Sequence, residues 1–281
     1  MKKLLIPVDF SGPSDNAATF AADLANSRAY DEIILAANLY VPIFEQIIPS
    51  PDLLQVTTAD IQQKKKQIRE QLEALKQEIM NRLTRNSVVR FIISDLPLVR
   101  AILQQVRDEN PALVIIGSNN YGATDDSMLG RQLIELAKVI PVPVLIVPPK
   151  SSYRVVDDIL VAGEFKSLAC MDPLKILGKM SQGRHPRLLL LNVDASRGNL
   201  LADVSSATKD AISDLLKGFD YTLYNLADKD ILQGVLTFSD DKGVQLIIAL
   251  PGRHSFLYHL THQNIQHGIW LNARKPVLIL K

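Results

Sequence analysis

Two stretches in the first half of the chain hold residues whose types and spacing suit ligand chemistry. The first is Pro7-Val8-Asp9-Phe10-Ser11, directly after an apolar run at residues 4–8. A carboxylate at the end of such a run can accept hydrogen bonds from a base or a ribose. It can equally order the turn into the next helix, with Ser11 or Ser14 as the helix cap. The second stretch, residues 117–131, carries Gly117, Gly122 and Gly130 between an apolar run and a helical pattern. Glycine lets the backbone approach a phosphate closely, and the next helix offers free N–H groups and its positive dipole end. The same stretch holds Asp125 and Asp126, whose charges repel a triphosphate unless a cation intervenes, and Arg131, which can pair with a phosphate.

Other reactive residue types carry less. Four of the five histidines fall between His254 and His267, and His259 and His262 would share a face of a helix. Imidazoles so placed can bind zinc. No cysteine lies nearby, however, and the nearest preceding carboxylates are Asp240 and Asp241. The cluster therefore reads as a polar helix surface packed through Tyr258 and Trp270, and no metal site is expected. Cys170 has no neighbouring base, and no Ser-His-Asp order or HExxH motif occurs. No catalytic residue is assigned. Lys64, Lys65 and Lys66 precede Glu70, Glu73 and Glu78 and read as the solvated face of a long helix.

The elements that must position these residues alternate. Short runs apolar on both faces occur at 4–8, 33–37, 88–93, 113–116 and 144–147, and again at 159–162, 188–193, 221–226, 244–250 and 277–280. Helix-patterned segments lie between them, at 14–24, 62–83, 96–106 and 129–139. Strands apolar on both faces, alternating with helices, predict right-handed βαβ crossovers and parallel sheets. The runs also align in order between the halves: Asp9-Phe10 with Glu164-Phe165, and Val144-Leu145-Ile146 with Val277-Leu278-Ile279. The offset changes once, which places extra length after the second strand of the first half. The expectation is an α/β chain of two tandem five-stranded, Rossmann-like domains of HUP type, residues 1–150 and 151–281. The predicted strand order in each is 3-2-1-4-5. The two terminal strands, 144–147 and 277–280, are suited to pair within the chain as an intramolecular pseudo-dimer.

The chain carries 31 Lys+Arg and 30 Asp+Glu, a formal net charge of +1. That balance gives no electrostatic reason to bind nucleic acid or an anionic membrane. No run reaches the length of a membrane span, and the single cysteine fits a reducing compartment. The expected location is the cytoplasm.

The Val-Asp-Phe-Ser at the end of the first strand, the Ile-Ile-Gly strand at 115–117, the glycine-bearing loop and the closing Pro141-Val142-Pro143-Val144-Leu145-Ile146-Val147 together resemble the universal stress protein family. The resemblance spans the first half and continues faintly through the second. It implies an ATP site with Mg²⁺, built on a loop of the form G-x2-G-x9-G-[ST], with the strand-one Asp and a strand-two backbone group near adenine. On this chain Gly117 and Gly130 match the first and third glycines. Asn120 stands at the second, with Gly122 displaced by two, and Arg131 stands at the Ser/Thr position. Pro7, Asp9 and Leu39 match the adenine side. In the second half Glu164 replaces the aspartate, and no glycine triad follows the fourth strand. The implied function is a non-catalytic cytoplasmic stress-response protein that acts through partner contacts, with adenine-nucleotide sensing in the first domain and a homodimer as a further level of assembly. Two alternatives stay open: a slow ATPase or adenine-nucleotide hydrolase, and a small-ligand or lipid-binding module with residues 40–54 as a lid.

Overall fold

The computed structural model of the protein describes residues 1–41, 57–118, 132, 136–163, 165, 171–177, 185–193, 206–226, 231–250 and 274–281. The chain divides into two compact units, Met1–Gly117 with Asp125–Ile140, and Ser118–Thr124 with Pro141–Lys281.

The first unit runs β1 (Lys3–Val8), α1 (Gly12–Ser27), β2 (Glu32–Asn38), α2 (Thr58–Arg82), β3 (Val88–Ser94), α3 (Leu98–Glu109) and β4 (Leu113–Gly117). The strands are parallel, in the order β3-β2-β1-β4. Leu4, Leu5, Ile6, Ile33, Ile34 and Leu35 are fully buried, as strands covered on both faces require. The buried face of α1 is mostly alanine (Ala17, Ala18, Ala21, Ala22, Ala25) with Phe20, so the helix axis lies close to the sheet. Helix α2 opens on a capping box, in which the Thr57 hydroxyl accepts from the Asp60 N–H and the Asp60 carboxylate accepts from the Thr57 N–H. It buries only Leu72, Leu75 and Ile79, all in its second half. Lys64, Lys65 and Lys66 are exposed, in line with a solvated face.

A charged cluster closes the end of this sheet where the strands begin. Lys3 reaches Glu109 at 2.8 Å and Glu32 at 3.7 Å, and Arg90 pairs with both Glu32 and Glu109. Glu32 is buried, and these cations are its ion-pair partners there. The cluster ties β1, β2, β3 and α3 together.

The second unit holds β5 (Val144–Val147), β6 (Asp158–Gly163), a single 3-10 turn (Asp172–Lys175), β7 (Arg187–Val193), α4 (Ser206–Leu215), β8 (Tyr221–Leu226), α5 (Ile231–Asp241), β9 (Leu246–Ala249) and β10 (Val277–Ile279). Its strands lie in the order β5-β10-β9-β6-β7-β8. Counted from the start of the second half, β6 to β10 follow the expected order 3-2-1-4-5. β5 belongs to the second unit and pairs antiparallel with β10, Val144 opposite Ile279 and Ile146 opposite Val277, which is the pairing within the chain expected of the two terminal strands. β5 and β10 are apolar and buried, and a strand of that kind left at an edge would be an aggregation site.

Candidate functional site

In an open parallel sheet the ligand crevice lies beyond the carboxyl ends of the strands, where the order reverses. In the first unit that point is between β1 and β4. Backbone polarity alternates along β1. The Lys2 carbonyl accepts from Asp31, just before β2, and the Lys3 carbonyl accepts from Ala112, just before β4. Lys3, Leu5 and Pro7 therefore turn their backbone groups toward β4. Pro7 has no N–H to donate, and the β1–β4 register ends at Leu5 opposite Val114. On its other side β1 stays paired with β2 as far as Val8 opposite Ala37. A proline in a central strand usually argues against the strand. Here its missing donor falls where the β1–β4 register stops, so the two ladders of β1 end at different levels.

Asp9 directly follows β1, at the end where its two ladders stop. Its Oδ1 accepts from the Ser11 N–H at 3.2 Å and from the Ser11 hydroxyl at 2.5 Å. Ser11 occupies the N-cap position of α1, but its side chain makes no cap hydrogen bond to the helix. The Ser14 hydroxyl donates to the Ser11 carbonyl at 3.0 Å. The expectation that Ser11 or Ser14 caps α1 through its side chain is thus corrected: the Ser11 hydroxyl is spent on Asp9. Between them Phe10 takes a left-handed conformation, φ 59°, uncommon for a bulky residue. Asp9 orders the strand-to-helix turn, the role left open by the sequence beside ligand contact. The first turn of α1 also carries Asp15, whose carboxyl is pushed up by burial and then by the charges of Glu78 and Asp9. An acid already occupies the positive end of this helix.

Gly117 closes β4 against the same turn. A Cβ on Gly117 would lie 2.0 Å from the Pro13 carbonyl oxygen and 2.4 Å from its carbonyl carbon. Close helix–strand packing therefore requires glycine here, independent of any phosphate. Asp9 and Gly117 are thus brought to one place by α1, Asp9 through Ser11 and Gly117 through Pro13. Leu39, just past β2, gives its N–H to the Ser94 carbonyl at 2.7 Å. Asn120, Gly122, Asp125, Asp126, Gly130 and Arg131 lie outside the described residues, as do Glu164, Cys170 and the cluster from His254 to His267. Among the described residues no group of three metal-ligating side chains occurs.

The second unit offers the counterpart of this switch point in a different state. By the alignment of the halves, Ala162 stands where Pro7 stood. The β6–β9 ladder runs on to Ala162 opposite Ala249, and Leu250 donates to the Ala162 carbonyl at 3.2 Å. A Cβ on Gly163 would meet the Leu250 side chain at 3.1 Å, and Leu250 is fully buried. Backbone bonding thus carries the β6–β9 ladder further than the β1–β4 ladder, with the Leu250 side chain against Gly163. The sequence reading weighed glycines and carboxylates here and missed both Leu250 and the role of Pro7. The available signal was a proline at the carboxyl end of one first strand and an alanine at the other.

A family model described as the universal stress protein family matches residues 1–148, just over half of the chain. A universal stress protein from Archaeoglobus fulgidus is similar in fold, at 16% identity and a TM-score of 0.69, covering 99% of this chain and 98% of that one. A second structure named for the same family, from Pseudomonas aeruginosa, aligns at 13% identity and a TM-score of 0.53 over 100% of this chain and 93% of that one. No match is found among curated proteins. The family match covers the parallel β3-β2-β1-β4 sheet, and this chain belongs to the universal stress protein family.

Proposed function

We propose that this protein is a non-catalytic cytoplasmic stress-response protein that senses an adenine nucleotide, ATP with Mg²⁺, at the β1–β4 switch point of its first unit. The reading rests on the early end of the β1–β4 ladder before Pro7, with Asp9 just past β1 and Gly117 at the end of β4. Asp9 and the Leu39 carbonyl would face the base and ribose. Gly130 and Arg131 would serve the phosphates in place of the family's Gly and Ser/Thr, and Mg²⁺ would offset Asp125 and Asp126. The second unit would serve as a partner for β5 and as a scaffold, since its β6–β9 ladder runs on where the β1–β4 ladder stops.

Thermal unfolding with and without ATP–Mg²⁺ tests this proposal. A melting temperature that rises with nucleotide concentration is expected. No rise at millimolar ATP–Mg²⁺ would overturn it.

A further inference from the structure

We propose that the outer edge of β8 is a self-association surface that pairs antiparallel with β8 of a second copy of this chain. The inference goes beyond nucleotide sensing and does not depend on it.

β8 is the last strand in the order of its unit and pairs on one side only, with β7. The Asp220 carbonyl accepts from Leu188, which turns Asp220, Thr222, Tyr224 and Leu226 toward β7. Tyr221, Leu223 and Asn225 turn the other way. Among the described residues, none gives or takes a backbone bond at that outer edge. The strand reads Tyr-Thr-Leu-Tyr-Asn-Leu, with no charge, proline or glycine. Natural edges are usually protected by such features. The edge of the first unit has them: Arg90, at the middle of β3, is fixed to Glu32 and Glu109, and the Lys76 ammonium lies over the Phe91 ring at 5.9 Å. On β8 the Lys242 ammonium lies over the Tyr224 ring, itself in edge contact with Phe238 of α5; these contacts cover a face of the sheet and not its edge groups.

The sequence of β8 is complementary to itself in one register. A two-fold axis through Leu223 places Leu223 opposite its own copy and Tyr221 opposite Asn225 of the second chain. All three outward residues then form hydrogen-bonded pairs, each exchanging two backbone bonds. On the alternate positions Thr222 meets Tyr224, a favourable β-branched–aromatic pair, and no like charges oppose. A contact that repeats under a two-fold axis closes at two copies.

Sedimentation equilibrium of the full chain over a concentration series tests this, on the wild type and on two variants. Leu223→Pro removes the central outward N–H without taking a donor from the β7 ladder. Thr222→Lys places an ammonium beside the axis from a side chain that is already exposed. The wild type is expected to show a reversible monomer–dimer equilibrium, and each variant to raise its dissociation constant at least about tenfold. Circular dichroism and melting show whether each variant is folded; if Leu223→Pro is not, Thr222→Lys decides alone. A wild type that stays monomeric throughout, or a dimer that folded Thr222→Lys leaves unchanged, would overturn the proposal. So would a monomer that takes up only an extended peptide at this edge.

Discussion

Leu250 donates its N–H to the carbonyl oxygen of Ala162 at 3.2 Å, and so carries the β6–β9 ladder past the level at which the β1–β4 ladder stops before Pro7. The two halves share a strand order and differ, among the described residues, in how far the first and fourth strands stay paired at the place where such sheets hold ligands.

Gly117→Ala is expected to destabilise the first unit by about 3 kcal/mol, because the added methyl meets a backbone carbonyl that cannot rotate away. Urea unfolding followed by circular dichroism would show the first transition at lower denaturant. An unchanged midpoint would mean that Gly117 and Pro13 are not in close contact.

Pro7→Val restores an N–H that faces β4. The β1–β4 ladder should lengthen, and slowed amide exchange at residues 115–117 would report it. If the β1–β4 switch point is the ligand site, the same variant binds ATP–Mg²⁺ at least about tenfold more weakly, roughly 1.4 kcal/mol. Exchange that does not change would place the ladder's end under some other control.

The cluster of Lys3, Glu32, Arg90 and Glu109 predicts a pH dependence. The hydrogen bond from Lys3, joined by that from Arg90, holds the Glu109 carboxyl below its ordinary value of 4.5, against the opposing effect of burial. A depressed carboxyl contributes stability that is present above the ordinary value and lost as pH falls through the lower folded value. Lys3→Met should flatten the acid limb of the stability curve below about pH 4.5 and cost about 1 kcal/mol at neutral pH. An acid limb identical to that of the wild type would count against the pairing.

Asp15 runs in the opposite direction. Burial, then Glu78 and Asp9, raise its carboxyl above the ordinary 3.8, so its contribution is full below that value and lost as pH rises through the folded value. Glu78→Gln should bring the Asp15 titration midpoint, read from its carboxyl carbon shift, back toward the ordinary range. A midpoint that does not move would assign the shift to burial and Asp9.

Strand order and strand positions were legible because runs apolar on both faces, at 33–37 and 188–193 for example, have few stable places other than a covered parallel sheet. The duplication was legible in the matching offsets for the same reason. The pairing of β5 with β10 was legible because each is an apolar terminal strand that would otherwise leave an open edge, while the direction of that pairing was not. Asp9 and Gly117 were legible as a carboxylate and a glycine at the ends of two strands. That Ser11 spends its hydroxyl on Asp9, and that Gly117 is required by Pro13, depends on how α1 approaches the sheet, and no residue spacing encodes that approach. The ion cluster went unread because Lys3, Glu32, Arg90 and Glu109 come from four elements and meet only once the sheet is formed.

The central claim is that one switch point of the two takes a nucleotide, and counting nucleotides bound per chain tests it most directly. Equilibrium dialysis of the full chain against labelled ATP–Mg²⁺ should saturate at one nucleotide per chain and weaken in Pro7→Val. Saturation at two per chain would contradict a scaffold role for the second unit, and no binding at millimolar nucleotide would contradict a site at the β1–β4 switch point.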